Sequence, residues 1–115
     1  MNKMYVIIKE EFKDGKHIPK DDEIIGECYT SIDAASALAR FYASKKRSSL
    51  DKLNVKSRCE GLYAKDKYQK GGMRVYYKVS AKKENITQFR IHEFDVLNLD
   101  EVREFIKGEN ENIFN

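Results

Sequence analysis

The sequence predicts an α+β domain: an antiparallel sheet of about five strands, in the order β-β-α-β-β-β-α, with helices packed on one face. Three observations carry this. Two segments, Lys52–Cys59 and Met73–Ala81, alternate apolar and polar residues, the period of a half-buried strand. An alanine-rich segment from Ser31 to about Lys46 has the spacing of an amphipathic helix. Two turn dipeptides, Asp14-Gly15 and Gly71-Gly72, join strands that must run antiparallel.

The first strand is Met4 to Phe12. Its continuous run Tyr5, Val6, Ile7, Ile8 predicts burial on both faces, hence a central position. Asp14-Gly15 turns the chain, Pro19 and Asp21-Asp22-Glu23 lengthen the loop, and Ile24 to Thr30 is the second strand. Ser31 is an N-cap and Asp33 suits the helix dipole in the first turn. Ile32, Ala35, Leu38, Ala39 and Tyr42 form the apolar stripe, and Lys45, Lys46 and Arg47 close the helix.

Lys52 to Cys59 reads as a strand with Leu53, Val55, Ser57 and Cys59 inward and Lys52, Asn54, Lys56 and Arg58 outward. Gly61 marks a bulge or bend, after which Leu62 to Tyr68 continues the strand or begins a new one. The next strand directs Met73, Val75, Tyr77 and Val79 inward and Arg74, Tyr76, Lys78 and Ser80 outward. Ile86 to Leu97 is the last strand. Phe89 and Ile91 have the opposite parity to Phe94 and Val96, which predicts a bulge near His92-Glu93. Asn98 caps a short helix with a Leu99, Val102, Phe105, Ile106 stripe, and Gly108 ends it. Residues 1–108 are expected to form a single domain and 109–115 a mobile C-terminal tail.

A chain of 115 residues supports one modest core. Seven Tyr and six Phe exclude a disordered chain, although 36% of residues are charged against about 25% in an ordinary domain. The opening apolar run is too short for a secretion signal, and no segment is apolar enough to span a membrane. A cytoplasmic protein without a membrane partner is expected. Lysine greatly outnumbers arginine, and Ile and Asn are common, a low-GC coding bias of the kind seen in Firmicutes and their phages.

No catalytic pattern is present. His17 and His92 lack the H-E-x-x-H spacing, and the glycines match neither phosphate-loop pattern. Cys28 and Cys59 lie in apolar-patterned strands and read as small buried hydrophobes. With both histidines isolated from the cysteines, no metal and no cofactor is expected.

Charge is partitioned along the chain. Residues 1–39 carry net −3, residues 40–83 net +11 and residues 84–115 net −5. The basic middle supplies the candidate partner-binding set: Lys45, Lys46, Arg47, Lys52, Lys56, Arg58, Lys65, Lys67, Arg74, Tyr76 and Lys78. On neighbouring strands these would make a basic, tyrosine-bearing sheet face, suited to phosphates and stacked bases. The expected function is a small non-enzymatic binding protein. In its sharpest form it is a phage or mobile-element anti-defence inhibitor, anti-CRISPR-like, that engages nucleic acid or a host nucleoprotein complex. The alternatives are a homo-oligomeric module that sequesters a phosphorylated ligand such as a nucleotide signal, and a protein–protein adaptor that uses its acidic segments. A plain solvated face, with lysines that only block edge-to-edge aggregation, is the competing account of the same charges.

Overall fold

β1 (Asn2–Lys13) and β6 (Ile86–Val96) form the spine of the sheet. They pair antiparallel from Asn2 opposite Val96 to Phe12 opposite Ile86, with no break in register. The structure is a computed structural model that describes residues 2–65 and 73–114, with the side chains of 3–62, 76–82 and 84–110. β5 (Met73–Ser80) lies beside β6, and β4 (Arg58–Lys65) beside β5 at one edge. At the other edge the short β2 (Lys16–His17) and β3 (Glu23–Tyr29) both pair with β1. All pairings are antiparallel. The architecture is thus the α+β antiparallel sheet that the sequence predicts, with six strands among the described residues where the sequence predicts about five.

The connection from β3 to β4 must travel from one edge of the sheet to the other. α1 (Ile32–Lys52) makes that crossing over one face. Ser31 Oγ accepts from Ala34 N at 3.3 Å and caps it as expected. Ala35, Ala39 and Ala43 are fully buried against Ile7, Val79, Phe89 and Ile91, and small side chains let the helix axis approach the sheet. Tyr42 stacks on Phe89 with centroids 6.0 Å apart. Val6 and Ile7, on opposite faces of β1, are 5% and 0% exposed, which bears out a central strand buried on both sides.

Several local expectations are corrected. Of the expected strand Lys52–Cys59 only Arg58 and Cys59, which open β4, are strand. α1 runs to Lys52 because its apolar stripe continues through Leu50, which packs against the core. It ends in a left-handed residue, Asn54, at φ 57°. Val55 N donates to Leu50 O at 2.9 Å and Asn54 N to Asp51 O at 3.0 Å, the paired bonds of a Schellman end. Residues 53–57 are therefore turn and linker, and the alternation there faces no sheet. The bulge expected near His92-Glu93 is also absent. The register of β1 on β6 is continuous, so Phe94 stays on the helix-free face and is exposed, its ring 4.4 Å from that of His92. Cys28 is exposed rather than buried, because it lies on the edge strand β3. The Gly71-Gly72 turn lies outside the described residues.

Asn98 caps α2 (Leu99–Phe114): its Oδ1 accepts from Glu101 N at 2.9 Å, and Glu101 Oε1 accepts from Asn98 N at 3.4 Å. Gly108 does not end this helix. It lacks the left-handed backbone of a helix-ending glycine, and the helix continues through the segment expected to be a tail. α2 has no extensive contact with any other element among the described residues, and Leu99, Phe105 and Ile106 are exposed. No described helix is long and apolar enough to cross a membrane.

Candidate functional site

The charge map changes once α1 is seen to extend to Lys52. At roughly 100° per residue, Ala35, Ala39, Ala43 and Leu50 define the side turned to the sheet. Arg40 and Arg47, seven residues apart, share one flank of the helix, while Lys45 and Lys52 share the outward side. The two pairs bound an arc of about 150° with Ser44 and Ser48 near its middle, Phe41 toward the lysines and Asp51 toward the arginines. Arg40, Lys45, Arg47 and Lys52 are all exposed, as is Phe41 at 58%. Lys46 is half-buried on the inner side, and Lys56 is exposed in the linker. None of Arg40, Lys45, Lys46, Arg47, Lys52 and Lys56 has an ion-pair partner among the described residues. Asp51 is the only carboxylate between residues 40 and 58.

The sheet face free of α1 behaves differently. Glu60 lies opposite Lys78 in the β4–β5 register. Its carboxylate is 2.8 Å from Arg58 Nε and 3.7 Å from Lys78 Nζ. Two cations of the expected sheet patch are thus already paired. Arg90 on the same face is paired with Glu10 at 2.9 Å. Tyr76 is half-buried beside Arg90 on β6 and Leu62 on β4, not a free platform. Lys65 and Arg74 sit on the β4–β5 ladder, with only their backbone described, and Lys67 lies outside the described residues. Elsewhere Lys3 is held by Asp95 and Glu93, and those bonds raise its pKa. The structure therefore brings Lys45, Arg47 and Lys52 together on α1, with Arg40 added, and separates them from Arg58, Tyr76 and Lys78. Sequence reasoning missed Arg40. The signal was its seven-residue spacing to Arg47, already visible within the helix that the sequence closes at Lys45, Lys46 and Arg47.

Between the flank of α1 and β4 lies a groove of about 650 Å³ lined by Arg40, Ser44, Arg47, Ser48, Asp51, Cys59, Gly61 and Tyr77. Gly61 makes room for the Tyr77 ring in its wall: a Cβ there would stand 2.7 Å from that ring. Ser36 Oγ lies 3.4 Å from Tyr77 Oη and ties that ring to the helix. Two guanidinium groups and the Ser44 and Ser48 hydroxyls suit an anion, with the Asp51 carboxylate beside them as an acceptor. Among the described residues no imidazole lines the groove.

Both histidines lie on the opposite face. Burial, and then the neighbouring Arg90 charge, lower the His92 pKa, and Arg90 donates to its Nδ1 at 3.1 Å. His17, which the sequence leaves isolated, is folded back onto Glu10 and Asp22. No protein-family model, curated protein or solved structure matches the chain.

Proposed function

We propose that the protein is a non-enzymatic binding protein that acts by occupancy, seating the basic arc of α1 on the phosphates of a nucleic acid, bare or within a nucleoprotein complex. The observation that supports this is the density of cations on one helix surface, where Arg40, Lys45, Arg47 and Lys52 project with no carboxylate bound to them among the described residues. Solvated lysines that only prevent aggregation belong on strand edges. These lie on a helix, and no carboxylate neutralises them among the described residues. Phe41, exposed between the two cationic flanks, offers a ring to an unpaired base. A small inhibitor of a nucleic-acid-handling complex would work in this way, by covering the strand or its channel.

A second reading rests on the groove. Arg40, Arg47, Ser44 and Ser48 are suited to a phosphorylated small ligand held against Tyr77. One titration separates the two. Fluorescence anisotropy with single-stranded and duplex oligonucleotides, repeated across salt concentration, should give log K falling linearly with log salt. A flat salt response, or no binding at low salt together with tight binding of a mononucleotide, would favour the groove instead.

A further inference from the structure

The hairpin from β1 to β3 assembles three donor groups that the sequence keeps apart. Phe12 pairs with His17 in the β1–β2 register, and the two rings lie tilted against each other with centroids 5.1 Å apart. Ile18 N then donates to Glu11 O at 2.9 Å, Asp21 N to Ile18 O at 3.0 Å and Asp22 N to Pro19 O at 3.1 Å. These turn bonds carry Asp22 back over the imidazole. Asp22 Oδ1 lies 2.7 Å from His17 Nε2, and Glu10 Oε2 lies 3.7 Å from the same nitrogen. One donor atom from each residue lies within 4.8 Å of the other two.

Glu10 is the informative member. It is only 8% exposed. Its Oε1 accepts from Arg90 Nε at 2.9 Å and from Gln88 Nε2 at 3.1 Å. Those bonds fix the carboxylate and aim the second oxygen at His17. That oxygen accepts no hydrogen bond among the described residues. A proton on His17 Nε2 can bond Asp22 at 2.7 Å and leaves Glu10 Oε2 out of reach at 3.7 Å. A cation with several coordination positions satisfies both.

We propose that Glu10, His17 and Asp22 bind a first-row divalent cation of the zinc type, through Glu10 Oε2, His17 Nε2 and Asp22 Oδ1. Imidazole with two carboxylates is a donor set that such ions accept, and three protein ligands leave a position for water. Bonds of about 2.0–2.1 Å in a tetrahedral site set ligand atoms about 3.3 Å apart. The observed 2.7 and 3.7 Å bracket that spacing, so small side-chain rotations complete the site. Arg90 balances part of the carboxylate charge and holds Glu10 in place, so the ion is not needed for folding.

Isothermal titration of the untagged chain with zinc chloride at neutral pH tests this. One ion should bind per chain, and saturating zinc should raise Tm by more than about 5 °C, reversed by chelator. His17→Gln and Asp22→Asn, both near the surface, should each weaken binding at least about tenfold while circular dichroism stays unchanged. Cys28→Ser, Cys59→Ser and His92→Gln should bind as the natural chain does. No zinc binding at millimolar metal, or full-strength binding by both His17→Gln and Asp22→Asn, would overturn the proposal. If one of those two variants fails to fold, the other decides.

Discussion

Replacing Lys45 and Lys52 together with glutamine removes the outward half of the basic arc. Both side chains are exposed and neither is in an ion pair, so each change should alter stability by under about 0.5 kcal/mol. The effect on binding is larger and can be worked out. If the four cations of the arc each neutralise one duplex phosphate, log K falls with log salt with a slope of about −3.6. Losing two contacts reduces the slope to about −1.8. At a salt concentration near 0.1 M, the same two contacts are worth about 60-fold in affinity. The assay is anisotropy of a labelled duplex across a salt series, with both chains checked for equal Tm. Glutamine at Arg58 and Lys78 is the matched control, because Glu60 already engages both of those cations. That pair of changes should cost less than the helix pair and leave the slope near its natural value. An unchanged slope in the helix variant, or a larger loss in the Arg58 and Lys78 variant, would refute the assignment to α1 and return the contact to the sheet.

Other consequences concern the frame that holds the arc. Gly61→Ala should destabilise the fold by about 1–3 kcal/mol in urea unfolding, because its Cβ would stand 2.7 Å from a Tyr77 ring tied to Ser36; an unchanged midpoint would show that the ring is free to move. Asn54→Ala should cost about 1 kcal/mol while Asn54→Gly should be neutral or stabilising, because residue 54 has φ 57°; equal loss from both would point to a side-chain role instead. His92 has a pKa lowered by burial and by Arg90, so folding favours its neutral form. Its contribution is fully present above its ordinary value of 6.5 and is lost as pH falls below it toward the folded value. The natural chain should therefore lose more stability on acidification than His92→Gln, and parallel pH profiles would refute this.

The fold class was legible because the signals behind it are local. Ser31 and Asn98 cap helices through their own side chains, and the Val6–Ile7 run needs only its neighbours to declare a buried strand. The errors arose where two periods overlap. From Lys52 to Cys59 polar and apolar residues alternate, but Ala43 and Leu50 continue the helical stripe, and the helix wins because Leu50 is packed under it while nothing covers Leu53. Asn54, a residue that tolerates a left-handed backbone, was the available stop signal. The charge partition was legible too, but its placement was not. Which cations remain unpaired depends on register, and Glu60 meets Lys78 only when β4 and β5 are aligned. The Glu10, His17 and Asp22 cluster was out of reach for the same reason, since a turn of backbone hydrogen bonds creates it.

The contrast between the two faces has a physical origin. Antiparallel pairing sets side chains directly opposite one another, so acidic residues scattered among basic strands find partners. A helix offers only neighbours three and four residues away, and in the basic half of α1 the sole acidic neighbour is Asp51. Arg47 stands four residues before it, the weaker orientation for a helical ion pair, and the two do not form one. Asp51 thus faces the groove beside Arg40 and Arg47 as a free carboxylate at the negative end of the helix dipole. This makes Asp51→Asn a test that divides the two functional readings. If phosphates lie along α1, removing the carboxylate relieves repulsion. Affinity for nucleic acid should then rise severalfold with the salt slope unchanged, and Tm should hold or increase slightly because the dipole is no longer opposed. If the groove holds a small phosphorylated ligand, Asp51 is the natural acceptor for donors at the end away from the phosphate, and the same change should weaken binding. A loss of nucleic-acid affinity in a stable Asp51→Asn chain would therefore count against the polyanion reading and in favour of the groove.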